Sequence, residues 1–85
     1  MNLGDLSRPE KRVVGFKQVQ RLARLGQLDR VYIAKDADEH VTQKLLGVCE
    51  KHAITYDMTH TMHQLGNACS IEVGSSCAGV LKQPQ

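Results

Sequence analysis

The stretch "DRVYIAKDADEHVTQKLLGVCEKHAITYDM", Asp29–Met58, decides the fold. Its first six residues, Asp29–Ala34, are rich in β-branched and aromatic side chains, and so short a continuous apolar run suits a buried strand. "KDADEH" then reads as a turn, with Asp38 placed to cap a helix. In that helix Val41, Leu45, Val48, Cys49 and His52 recur at i, i+4, i+7, i+8 and i+11, a stripe of helical period. "AITYDM" is a second strand. Strand, helix and strand in succession imply an α/β sandwich, with helices on the faces of a small parallel or mixed sheet.

Upstream lies "GFKQVQRLARLG", Gly15–Gly26. Phe16, Val19, Leu22 and Ala23 share one helical face, and Gly26 stands where a helix stops. Nearly opposite runs a row of Lys17, Arg21 and Arg24 with no acid among them. "RVVG" before it is a brief strand, and Pro9 can open a short first helix with Ser7 as its cap. Downstream, Thr61 and Gln64 have capping-box spacing for a short helix ending near Ala68. "CAGVLK" reads as a last, weaker strand, because Gly79 falls in its interior. Between them "SIEVGSS", Ser70–Ser76, is a loop with two branched apolar residues, which either fold back into the core or await a partner.

At 85 residues the chain is one domain, 1–85, with short flexible ends expected over about 1–6 and 83–85. A chain of this size buries only about 60–65% of its unfolded surface, so every element must serve a single core. Apolar residues at 41% and charged residues at 24% describe an ordinary globular protein. No apolar run approaches the ~20 residues that span a bilayer, and "MNLGDLSRPEKR" lacks the apolar region of a secretory signal. A cytoplasmic protein without membrane contact is expected. Cys49, Cys69 and Cys77 are an odd number at irregular spacing, so free thiols are expected rather than a disulfide framework.

The net charge of +2 is unevenly spread. Between Arg8 and Lys35 eight Lys and Arg face only Glu10 and Asp29, whereas from Asp36 to His60 five acids face Lys44 and Lys51. One part of the surface should be positive, which favours a polyanionic partner.

Catalysis finds little support. No phosphate-binding glycine loop, dinucleotide fingerprint or nucleophile elbow is present, and no enzyme activity is expected. Asp36, Asp38 and Glu39 crowd together, but acids before a helix are accounted for by capping and the helix dipole. Cys49, His52, His60 and His63 offer ligand types that zinc accepts, so a small metal-stabilised Cys/His interaction domain is the alternative to nucleic-acid binding. Against it, Cys49 and His52 already belong to a helix explained by its core face, and a strand would have to bend around the ion. No metal and no cofactor are expected. Phe16, Tyr32 and Tyr56 are the only aromatic residues, and the tyrosines lie on strands that helices should cover, so a base-stacking platform is not expected. A helix start behind a glycine, a basic row and an apolar loop suit a structured target instead.

Three motifs in register, "GFKQVQRLARLG", "YIAKDAD" and "LGNACSIEVGSS", resemble the ribosomal protein L-seven-Ae family. The likeness is greatest to its small bacterial YbxF-type branch, with the patterns G-T-K-Q-x-x-K, A-K-D-A-D and L-G-x-A-C-x-I-E-V-G. It runs from about Val13 to Val80. The resemblance implies a three-layer α/β/α sandwich with a small mixed four-stranded sheet. It also implies recognition of kink-turn RNA, a duplex sharply bent at a bulge that is followed by tandem sheared G·A pairs. Such a protein would be a monomer, ribosomal or ribosome-associated, with the large ribosomal subunit as a possible host.

By the same resemblance Lys17, Gln18 and Arg21 would contact the G·A pairs in a widened major groove. Lys and Arg donate to guanine O6 and N7, and Gln both donates and accepts. Gly15 would let the backbone amides approach the RNA, Arg24 would meet phosphates, and Lys35 the backbone or bulge. Ile71, Glu72 and Val73 would cover the bulged nucleotides. The chain departs from the family pattern at Phe16, where threonine is usual, at Glu39, where proline is common, and at Gly79 and Lys82 in the final strand.

Overall fold

The computed structural model describes residues 3–82. Four strands, β1 (Arg12–Val14), β2 (Leu28–Ile33), β3 (Thr55–Asp57) and β4 (Cys77–Leu81), form one mixed sheet in the order β1-β4-β2-β3. β4 is antiparallel to both β1 and β2, and β3 is parallel to β2. Helices α1 (Phe16–Arg24), α2 (Glu39–Lys51) and α3 (Met62–Ala68) follow β1, β2 and β3 in turn.

Side chains alternate across the strands, so each face of the sheet builds its own core. On one face Val13, Val31, Ile33, Cys77 and Leu81 pack with Val19, Leu22 and Ala23 of α1 and Leu45 and Cys49 of α2. On the other, Tyr32, Ala34, Ala78 and Val80 pack with Leu65 of α3, with Cys69 and with Leu6. The result is the expected three-layer α/β/α sandwich.

The apolar rows read from the sequence are the buried rows, with Phe16, Val41 and Val48 partly buried against the same cluster. The exception is His52, read as the last member of the α2 row, which is exposed at the cap that ends the helix. Phe16 thus packs inward without disturbing the helix it begins. Asp38 caps α2 by accepting from the His40 N–H at 2.8 Å. Thr61 and Gln64 close the capping box of α3 through bonds of 3.1 and 2.8 Å.

Four readings need correction. Ser7 does not cap the turn at Pro9; its hydroxyl donates to the Gly4 carbonyl at 2.8 Å, closing an earlier 3-10 turn over Leu3–Ser7. That turn lies within the stretch expected to be loose, yet its Leu6 is fully buried. The expected loose ends at 1–2 and 83–85 lie outside the described residues. β4 is not the weakest strand but a central one, buried along all five residues. Gly79 fits because a Cβ there would stand 2.8 Å from Leu28 Cδ1, so the neighbouring side chains occupy its space. Tyr56 is not covered by a helix: β3 is a short edge strand, and Tyr56 is 41% exposed.

All three cysteines are free, as the sequence implied, and all three are buried. Burial raises the pKa of each thiol, that of Cys77 to about 11. No helix among the described residues is long and apolar enough to cross a membrane.

Candidate nucleic-acid interface

Strand order dictates where the helices begin. β1, β2 and β3 run in one direction, and each is followed by a helix, so the amino ends of α1, α2 and α3 gather at one end of the sheet. Backbone bonds fix that end. The Gly15 N–H donates to the Cys77 carbonyl at 3.2 Å, that of Ala34 to Ser76 at 2.9 Å, and that of Lys35 to His60 at 2.8 Å.

The three helix starts are finished differently. An amino-terminal turn leaves several N–H groups without an intrahelical partner. α2 and α3 supply side-chain acceptors from Asp38 and Thr61, whereas Gly15 at the cap of α1 supplies none. The first amides of α1 therefore remain open to an external acceptor, at the positive end of the helix dipole. Gly15 has φ 96° and ψ 153°, a backbone region that essentially only glycine adopts. A Cβ there would meet no atom within 4 Å. The glycine is thus required by the chain path into α1, in addition to any role in close approach.

Lys17, Gln18, Arg21 and Arg24 are all exposed along α1. Among the described residues no carboxylate lies within ion-pair distance of Lys17, Arg21, Arg24 or Lys35. The acids of the "KDAD" turn are already engaged. Asp38 caps α2, and Asp36 reaches across to accept from the Met62 N–H, at the start of α3, at 2.8 Å. Asp36 thereby ties the turn that carries Lys35 to α3. The sequence marked it only as an acid before a helix, because its partner stands 26 residues away. At the end of β3 Asp57 is partly buried, which opposes its charge, yet hydrogen bonds from Thr59 and the nearby His60 hold its carboxyl below the usual carboxylate range.

The Ile–Glu–Val loop divides between the two alternatives. The Ile71 N–H donates to the Gly66 carbonyl at 3.0 Å, and its side chain packs against the core beneath α3. Glu72 is exposed and Val73 is 72% exposed. The loop then runs back along α3, where the Ser75 N–H meets the Met62 carbonyl at 3.0 Å, and rejoins the sheet end at Ser76 and Cys77. Gly66 permits this course: a Cβ on it would fall 2.3 Å from the Val73 carbonyl oxygen. Arg12, counted above among the basic residues, serves the same region. Its guanidinium donates to the Cys69 carbonyl at 2.7 Å and so binds the carboxyl end of α3 to β1.

The sequence-selected residues therefore fall into three groups. Gly15, the start of α1, Lys35 and the root of the 70–76 loop are joined by hydrogen bonds at one sheet end. The 71–73 tip lies alongside α3, on the other face of the sheet from α1. Arg24 stands at the far end of α1, against α2.

The Cys/His set is not assembled. Cys49 is buried in the core beneath α1 and α2, while His63 is exposed on α3, beyond the sheet. Among the described residues no group of three or more His, Cys, Asp or Glu is positioned to hold a metal ion.

A small α/β/α sandwich with an uncapped helix start and an unpaired, exposed basic row defines the class: a small domain with an open, positively charged helix start at one end of its sheet. More particularly, the chain belongs to the ribosomal protein L7Ae/L30e/S12e/Gadd45 family, whose pattern matches residues 2–85. It is 44% identical, over 82% of its length and 85% of the relative's, to an RNA-binding protein of Caldanaerobacter subterraneus subsp. tengcongensis. It is 31% identical, over 85% of its length and 88% of the relative's, to the RNA-binding protein YbxF of Geobacillus stearothermophilus. The fold is shared with the Giardia lamblia 15.5kD RNA binding protein at TM-score 0.86 and 23% identity, covering 95% of this chain and 68% of that one.

Proposed function

We propose that this protein binds structured RNA and recognises kink-turns, stabilising the bent form by preferring it to the open one. The observation that carries the reading is the start of α1. Amides without a side-chain cap, followed by exposed and unpaired Lys17 and Arg21, stand beside Lys35 at one end of the sheet. The names of the relatives support RNA as the polyanion. In this reading Lys17, Gln18 and Arg21 reach the edges of the sheared G·A pairs, and Lys35 meets the backbone or bulge. Glu72 and Val73 cover the extruded nucleotides from a loop that Ile71 pins to the core. Arg24 contributes through phosphates. The family also supports association with ribosomal RNA in the cytoplasm, as a ribosomal or loosely bound protein.

Titration with a kink-turn duplex, and with a control whose G·A pairs are replaced by Watson–Crick pairs, tests the proposal. The control should bind more weakly by about 1–3 kcal/mol or more, the usual cost of a wrong pair in a specific site. Equal affinity for both would refute kink-turn recognition. Sedimentation with large ribosomal subunits tests the association; recovery only in the free fraction counts against it.

A further inference from the structure

Away from the sheet end, the carboxyl halves of α1 and α2 enclose an open groove of about 480 Å³. Arg24 lines it from α1; Lys44 and Lys51 line it from α2, with Gly47 between them and His52 at the helix's carboxyl cap. No acid lines the groove, and among the described residues neither lysine has a carboxylate within ion-pair distance. Neither acid of α2 is in the lining: Glu39 accepts at 3.0 Å from Gln43, which borders the groove, and Glu50 is exposed. Cations held around a concavity reinforce one another's potential. Lys44 and Lys51 are two helical turns apart, about 10 Å along the axis, so they face separate charges of a chain rather than one small anion. A Cβ on Gly47 would meet nothing within 4 Å, which leaves the middle of α2 clear for an approaching backbone.

We infer that this groove holds the phosphodiester backbone of a helical RNA stem, through Arg24, Lys44 and Lys51, reading charge without sequence. It continues the exposed row of Lys17, Arg21 and Arg24 onto a second helix. The identity of its partner rests on the RNA-binding reading above, but Lys44 and Lys51 take no part in that reading and can be tested apart from it.

The probe is a fully paired RNA duplex without bulge or G·A pairs, titrated with the full chain over a series of salt concentrations. The wild-type protein should bind it weakly and with strong salt dependence. The double substitution Lys44→Gln/Lys51→Gln should lower affinity about tenfold at low salt and make the log–log salt slope shallower by roughly 1.8, two phosphate contacts at ~0.9 each. Gly47→Gln keeps every charge, favours the helix and fills the groove; it should weaken the same binding several-fold. Arg21→Ala should weaken the kink-turn much more than the plain duplex. Wild-type affinity and slope in the lysine double variant, or no binding of the plain duplex by the wild type, would overturn the groove. Loss in that variant, with no wild-type preference for the kink-turn, would leave the groove standing and remove kink-turn recognition instead.

Discussion

The face of the sheet beneath α1 and α2 is closed by side chains from Val13 to Leu81, almost all aliphatic, on two full helices. The face beneath α3 is closed by a seven-residue helix, a 3-10 turn and polar ties. There Arg12 holds the end of α3, Asp36 holds its beginning, and a main-chain bond fastens Ile71 to Gly66. The difference teaches how a small domain divides its tasks. Apolar packing supplies stability beneath the two longer helices, α1 and α2. Polar ties with fixed geometry hold the loops, where there is too little apolar area to do so.

Substitutions should separate the two modes. The largest effect is expected at Leu45, fully buried beneath α2, where Leu45→Ala leaves a cavity costing about 2–5 kcal/mol in chemical denaturation. RNA affinity per folded molecule should survive, and a combined loss would show the helix layer to be part of the binding surface. Next, Gly66→Ala pushes a methyl group against the Val73 carbonyl and displaces the loop. Overpacking of this kind costs about 1–3 kcal/mol, and RNA binding should fall with it. Arg12→Met removes a charged hydrogen bond worth about 1.5–3 kcal/mol. Because the Arg12 Nε is buried without a partner, the loss should fall at the low end of that range. Amide exchange around Cys69–Val73 should quicken while α1 stays protected. Asp38→Ala removes one cap, for about 1 kcal/mol of stability and no direct loss of RNA contact.

These contrasts also mark how far the chain could be read in advance. Elements whose logic is local were legible: the periods of α1 and α2, the Asp38 cap and the Thr61/Gln64 box each lie within a few residues. What escaped depends on distant neighbours. β4 looks weak because Gly79 is small, yet it is small because Leu28 and Val13 fill the space beside it. Asp36 and Arg12 look like surface charges until the fold brings Met62 and Cys69 to them. The division of the loop, Ile71 inward and Val73 outward, could not be chosen from an Ile–Glu–Val triplet, since alternation alone does not say which face α3 covers. At the candidate site the residue types and the helix start were legible. The contrast between one open cap and two filled ones needed all three helix starts to be seen at the same end of the sheet.

The central claim is that RNA is met by the start of α1 together with Lys35 and the 71–73 loop, and Arg21 offers its most direct test. Arg21→Ala should leave chemical denaturation within about 0.5 kcal/mol of wild type, as for an exposed substitution. In calorimetric titration of a kink-turn duplex it should weaken binding by about 1–3 kcal/mol, the worth of a good base-edge contact. An unchanged affinity in a fully folded variant would contradict the assigned surface.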